Sequence, residues 1–286
     1  MILLNDYFVN REEVTIDIED RGYQFGDGVY EVVRVYNKQL FALQEHMERL
    51  KNSAKEVCLK LPSDLKKIEN KIRQLVKENN LEDGIVYIQI TRGVAQRVHN
   101  FPGNTTPTLV AYTIKLNKPI ENIANGVKTK LVEDIRWLRC DIKSLNLLGN
   151  VLAKQKAKDS HCFEAILFRK NLGAKENIVT EGTSTNVFIV KDHIIYTHPT
   201  TSLILNGITR QKVLDLIANL SLQVMEETFS TEEITSADEV FITSTTDEIT
   251  PVIQIDKVII NKGIPGPITK QIQKEFKNLL PEPTYS

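Results

Sequence analysis

Cysteine is scarce in this chain. Its three cysteines, Cys58, Cys140 and Cys162, are far apart and form no CxxC pair, which argues against a disulfide framework or a cysteine zinc site and fits a reducing cytoplasm. Neither sign of charge dominates: 36 Lys+Arg stand against 37 Asp+Glu, so the composition points to no nucleic acid and no anionic membrane as a partner. No apolar run reaches the roughly 18 residues of a membrane span. The opening Met1-Ile2-Leu3-Leu4-Asn5-Asp6 lacks the basic and long apolar regions of a signal peptide, and a cytoplasmic location is expected. His46, His99, His161, His193 and His198 show no metal-ligand spacing. No metal is expected, and His193 and His198 read as surface histidines. P-loop, HExxH and nucleophile-elbow signatures are missing. Gly26-Asp27-Gly28 begins like a dinucleotide fingerprint, but Glu31 stands where the third glycine belongs and the following segment reads as a strand.

The composition that remains is that of an ordinary globular protein, 286 residues with 41% apolar and 26% charged side chains, long enough for one large domain or two ordinary ones. Val29 to Tyr36 and Gln39 to Leu43 read as a hairpin across Asn37-Lys38. Leu43, Met47, Leu50, Ala54 and Val57 share one helical face, as do Leu61, Leu65, Ile68, Ile72 and Leu75. Ile85 to Arg92 and Thr108 to Ile114 read as further strands. Leu116-Asn117-Lys118-Pro119 is a linker candidate. Beyond it, strands are predicted at Val127 to Val132, Glu164 to Arg169, Asn186 to Val190, Ile194 to Tyr196, Glu239 to Ile242 and Val252 to Ile255. Helices are predicted at Leu147 to Ser160, Gly207 to Leu220 and around Ile268, Ile272, Phe276 and Leu279. The expected class is α+β, with an N-terminal domain over 1–116, a linker over 117–121 and a second domain over 122–286.

Four stretches could carry chemistry. Lys143, between Ile142 and Ser144-Leu145, is a lysine in partly apolar surroundings, as a nucleophilic or Schiff-base amine requires; a solvated lysine is the plainer reading. Thr180 to Asn186 sets Glu181 before a run of small hydroxyl residues, which reads as a turn or as a loop facing a ring nitrogen. In Leu205-Asn206-Gly207-Ile208-Thr209-Arg210, Asn206 is placed to cap a helix whose start suits a phosphate, and Thr243-Ser244-Thr245-Thr246 could add donors. Arg97-Val98-His99 places two cationic-capable side chains two apart, pointing the same way on extended backbone, where they could grip a carboxylate; a solvated loop is the alternative. Together these are the parts of a pyridoxal-phosphate enzyme acting on an amino acid.

On these residues the chain resembles the D-amino-acid aminotransferases, within the fold-type IV pyridoxal-phosphate enzymes. The matching pieces are Asp20 to Glu31, Ile90 to Gly93 with Arg97 and His99, Asp134 to Trp137, Lys143 to Asn146, Thr180 to Gly182, Gly207 to Arg210 and Thr243 to Thr246, in family order over nearly the whole chain. Gln96 departs from an expected proline, and Thr185 from serine.

The resemblance implies two-domain subunits with the active site in the interdomain cleft, a homodimer, and pyridoxal 5'-phosphate as cofactor. It implies Lys143 as Schiff-base lysine and proton shuttle and Glu181 as partner of the pyridine nitrogen. Arg49, Ile208, Thr209 and Thr245 match phosphate-binding positions, and Leu205 and Ser244 match positions flanking the ring. Tyr30, Arg97 and His99 match the substrate carboxylate trap, its Arg and His serving the neighbouring subunit. The implied activity moves the amino group of D-alanine or similar D-amino acids to 2-oxoglutarate, giving D-glutamate and pyruvate, by a ping-pong mechanism. A branched-chain L-aminotransferase and an aminodeoxychorismate lyase are the rivals of the same fold, and a non-catalytic cofactor-binding protein is the rival of another class.

Overall fold

The computed structural model describes residues 1–170 and 176–282. The chain divides into two compact units. One comprises Met1–Asn117 with Ile142–Asn146 and the chain from Leu280; the other comprises Lys118–Asp141 and Leu147–Leu279. Lys143 thus belongs to the first unit and Glu181 to the second.

The first unit contains β1 (Ile2–Leu4), β2 (Tyr7–Val9), α1 (Arg21–Phe25), β3 (Gly28–Tyr36), β4 (Gln39–Leu40), α2 (Leu43–Glu56), α3 (Leu65–Glu78), β5 (Gly84–Thr91) and β6 (Thr108–Lys115). Its six-stranded antiparallel sheet has the order β2-β1-β6-β5-β3-β4. Met47, Leu50 and Ala54 of α2 and Ile68, Ile72 and Leu75 of α3 share a buried core with Val29, Val33, Ile88 and Ile90. The predicted helical faces therefore point into this core. The hairpin is shorter than predicted: Ala42 takes a left-handed φ of 52° and turns the chain into α2. The second helix begins later than its apolar spacing implied, because the Asp64 carboxylate accepts from the Lys67 N–H and starts it there.

The second unit contains α4 (Ile120–Asn125), β7 (Val127–Glu133), α5 (Leu148–Asp159), β8 (Glu164–Lys170), β9 (Asn177–Gly182), β10 (Asn186–Lys191), β11 (Ile194–Thr197), α6 (Ile208–Asn219), β12 (Val224–Glu226), α7 (Thr231–Thr235), β13 (Glu239–Ser244), β14 (Glu248–Ile255), β15 (Val258–Ile259) and α8 (Pro267–Leu279). Its sheet runs β12-β11-β10-β13-β14-β7-β8-β9, with β15 on β14. The pairs β11·β12, β14·β7 and β7·β8 are parallel and the others antiparallel. Part of the expected linker is helical, since α4 starts directly after Pro119. Among the described residues, no helix is long and apolar enough to cross a membrane.

Phe188 and Phe241 lie opposite each other on β10 and β13, fully buried, with stacked rings 4.8 Å apart. Phe241→Ala is expected to cost about 3–5 kcal/mol. Val258→Ala, on an exposed edge, should stay within about 0.5 kcal/mol. Denaturant unfolding of the two variants against the parent checks the contrast.

Candidate active site

In the first unit the backbone of 142–146 joins the start of β3. Tyr30 N–H donates to the Lys143 carbonyl at 3.0 Å, and Leu145 N–H to the Gly28 carbonyl at 3.0 Å. Lys143 N–H donates to Ser53 Oγ of α2 at 3.2 Å. The Lys143 ammonium lies 4.2 Å from the centre of the Tyr30 ring, an attractive placement for a cation. Tyr30 stacks on Tyr87 at 5.8 Å, and Tyr87 meets Tyr112 at 5.1 Å, so a row of tyrosines crosses β3, β5 and β6.

Strand alternation sends Glu31 to the opposite face, toward α2. The Glu31 carboxylate is fully buried. It accepts from Arg49 Nε at 2.7 Å and Nη2 at 3.0 Å, and meets His46 Nδ1 at 2.8 Å. Burial alone would raise this acid; the Arg49 charge beside it outweighs burial and holds it far below the usual carboxylate range. Burial lowers His46, which favours its neutral form. Arg49, expected at the cofactor phosphate, therefore has its guanidinium set in place by a carboxylate. The sequence alone assigns Glu31 no role, although an acid at an inward-facing position of Val-Tyr-Glu-Val-Val-Arg-Val-Tyr is a signal of a buried charge pair.

The second unit positions Glu181. The residue stands on β9 rather than in the expected loop; the turn is confined to 183–185, before β10. Its carboxylate accepts from Arg136 Nη1 at 2.6 Å, Asn186 Nδ2 at 3.1 Å and the Leu205 N–H at 3.0 Å. A carboxylate offers about four acceptor positions, so one remains. Asp134 receives Arg136 through two nitrogens, and Arg169 and Thr180 as well. Burial pushes Glu181 up to about 7, against the opposing charge of Arg136.

Asn186 also donates to the Leu205 carbonyl at 2.8 Å, and a Cβ on Gly207 would fall 2.1 Å from its Oδ1. This close approach requires glycine where α6 begins. The expected cap is corrected here: the capping position is Gly207, not Asn206, and there is no side-chain capping hydrogen bond. Without that competitor, the first amides of α6, from Ile208 and Thr209, suit an anion. The Ser244 hydroxyl donates to Asp247 at 2.7 Å and accepts from the Asp247 and Thr246 N–H groups, which closes the turn after β13. Thr245 is half-buried in that turn; two residues before it, at the end of β13, the buried Thr243 hydroxyl has no hydrogen-bond partner. His198 is not a surface histidine: it is 2% exposed, with Nδ1 2.7 Å from the Pro199 carbonyl.

In the first unit, Arg97 and His99 lie in the exposed loop after β5 and share one neighbour. The Phe25 ring is 5.0 Å from the Arg97 guanidinium and 5.6 Å from the His99 ring, so both side chains reach the same aromatic group; the backbone that carries them is bent, with the Val98 N–H on the Gln96 carbonyl, rather than extended as expected. Among the described residues, no group of three or more His, Cys, Asp or Glu could hold a metal ion.

The raised pKa of Glu181 makes a prediction for the protein without added ligand. The folded chain holds the Glu181 proton more tightly than the unfolded chain does. The resulting stability is fully present below about 4.5 and is lost as pH rises through about 7. The stability of the parent relative to Glu181→Gln should fall by on the order of 3 kcal/mol across that window, measured by denaturant unfolding on both sides of it.

The family model "Amino-transferase class IV" matches residues 28–255. The chain is 50% identical over 277 residues to a D-alanine aminotransferase of Bacillus licheniformis, covering 97% of this chain and 96% of that protein. It is 47% identical over 280 residues to one from Staphylococcus aureus (strain MSSA476), covering 98% and 97%. Among solved structures it is similar to the Escherichia coli branched-chain amino acid aminotransferase, with a TM-score of 0.91 and 27% identity over 99% of this chain and 95% of that one. It is also similar to the branched-chain aminotransferase of Thermoproteus uzoniensis, solved with norvaline, with a TM-score of 0.84 and 26% identity over 97% and 93%. With a family model matched across both units and relatives alike over almost their full length, the chain belongs to the class IV aminotransferases.

Proposed function

We propose that this chain is a pyridoxal-phosphate-dependent transaminase that moves the amino group of D-alanine or a similar D-amino acid to 2-oxoglutarate. One observation carries the reading: the chain is 50% identical over 97% of its length to a D-alanine aminotransferase, and β3 sets the lysine amine against the Tyr30 ring on one face and a buried Glu31–Arg49 pair on the other. The residues fit the cofactor on two grounds. The α6 N-terminus carries no side-chain cap that would compete for a phosphate. The Glu181 carboxylate has donors on three sides and an acceptor position left for a ring N–H.

When bound, pyridoxal phosphate draws electrons from the substrate's α carbon and so makes the α-proton removable. The chain supplies the rest. Lys143 is the base that takes the α-proton and the acid that returns it. Glu181 accepts the ring N–H. The Ile208 and Thr209 amides, Thr245 and Arg49 would hold the phosphate, and Leu205 and Ser244 would lie by the ring. Tyr30, Arg97 and His99 bind the substrate carboxylate, and its position decides which enantiomer turns its α-hydrogen toward Lys143. D-alanine leaves as pyruvate, and 2-oxoglutarate leaves as D-glutamate in the second half of a ping-pong cycle.

The chain acts as a homodimer, the Arg97 and His99 loop serving the neighbouring subunit. An exposed apolar group in the second unit supports this: Ile135, Trp137, Leu138, Leu148, Val151 and Leu152 are each at least 42% exposed, and Gly149 packs against Arg136 between them in sequence.

The direct test incubates the purified protein, loaded with pyridoxal phosphate, with D-alanine or L-leucine and no acceptor. Loss of the visible cofactor absorbance with D-alanine alone is expected. Loss with L-leucine alone would assign a branched-chain enzyme, and no visible band in the loaded protein would overturn the cofactor. Lys143→Ala should lower turnover by at least about 10²–10⁴-fold. Arg97→Ala should raise KM for D-alanine by about tenfold or more, since a charge-assisted bond is lost.

A further inference from the structure

Arg97, Val98 and His99 are all exposed and lie in no regular element. Two long side chains on such a loop would lose much of their binding energy to disorder unless the backbone between them were fixed. One buried residue contacts that backbone. Arg21, only 3% exposed, donates from Nη1 to the Val98 carbonyl at 2.7 Å, midway between the two cationic positions. Its Nε donates to Asp27 at 2.8 Å, and its own N–H to the Gly93 carbonyl at 3.0 Å. Asp27 is anchored in turn by Arg92, through Nε at 2.8 Å and Nη2 at 2.9 Å. Arg92 also donates to the Val57 and Cys58 carbonyls and lies 3.8 Å from the centre of the Phe101 ring, farther along the same loop. One helical turn after Arg21, the Phe25 ring is 4.7 Å from its guanidinium and also meets Arg97 and His99.

We propose that Arg21 is a positioning residue for substrate recognition: clamped by Asp27, it holds the Val98 carbonyl and thereby sets Arg97 and His99 for the substrate carboxylate. The inference rests on the reading above that this pair grips the carboxylate. A guanidinium is needed because its planar fork bonds an acid and a carbonyl at once in fixed directions, whereas an ammonium is a point charge on a flexible stem. Phe25 provides the second restraint, a rigid surface on which both side chains rest. None of these contacts involves Lys143 or Glu181, so loosening the clamp should weaken carboxylate binding and leave the proton transfer alone.

The experiment compares the pyridoxal-phosphate-loaded parent with Arg21→Lys, Phe25→Leu and Arg97→Ala. The readouts are KM and kcat for D-alanine and inhibition by propionate, which carries the carboxylate without the amine. Arg21→Lys is expected to raise KM and the propionate inhibition constant together, by about five- to tenfold, with kcat within about twofold of the parent. Phe25→Leu should move both constants in the same direction by less. A fall in kcat with both constants unchanged would mark a purely structural role and overturn the proposal. A raised KM in Arg97→Ala with Arg21→Lys and Phe25→Leu both unchanged would also overturn it, while leaving the carboxylate grip standing. No effect in Arg97→Ala would remove the grip itself. If Arg21→Lys does not fold, Phe25→Leu at its half-buried position decides the matter: a raised KM supports the clamp, and an unchanged KM overturns it.

Discussion

Burying charge is the constraint around which this protein is organised. A carboxylate taken out of water is costly unless donors converge on it, and the chain meets that cost repeatedly near its candidate functional groups. Asp27 collects Arg21 and Arg92, Glu31 collects Arg49 and His46, and Glu181 collects Arg136, Asn186 and a backbone amide. Glu164, fully buried, gathers Thr183, Ser184 and Thr185 from the turn that follows Glu181. Glu239 receives two amides and a hydroxyl at the start of α8. Each acid fixes several partners at once, and except at Glu239 those partners carry or adjoin the residues assigned to chemistry.

The arrangement also separates tasks within the first unit. One face of β3 carries Tyr30 toward the lysine amine, and the other carries Glu31 toward the helix that bears Arg49. Strand alternation therefore lets one short segment serve both substrate and phosphate positions. In the second unit Asn186 ties the Glu181 carboxylate to the Leu205 carbonyl and closes against Gly207. The acid and the helix terminus are held by a single amide side chain. Deeper in that unit the stacked Phe188 and Phe241 rings belong to the central strands β10 and β13, a rigid base for residues at the strand ends.

Much of the fold could be read directly. The apolar spacing of α2 and α3 and the β-branched runs of β3, β5 and β10 are strong local signals, and their core faces agree with the burial found, whereas on α8 Ile272 and Phe276 are buried but Leu279 is exposed. The short elements were not legible. Strands β1, β2 and β12 have three residues each and α1 has five, too few for periodicity to register. Thr180 to Asn186 has the composition of a turn, which hides the end of β9; pairing with β8 keeps Glu181 in extended backbone. Residue type alone favours Asn206 as a cap, but the capping position is Gly207, with no side-chain capping hydrogen bond.

The sequence by itself determined the residue types and their order: a lysine, an acid, a glycine before a helix, and an arginine–histidine pair. It also determined the helix and strand periods that place most of them, because such preferences act within a few residues along the chain. Tertiary structure decided which partners those residues have. Arg21 reaches Val98 across 77 positions, Arg49 reaches Glu31 across 18 and Arg136 reaches Glu181 across 45. Pairings at such separations leave no local pattern to read, since they are selected by the need to satisfy buried charge once the sheets have brought the strands together.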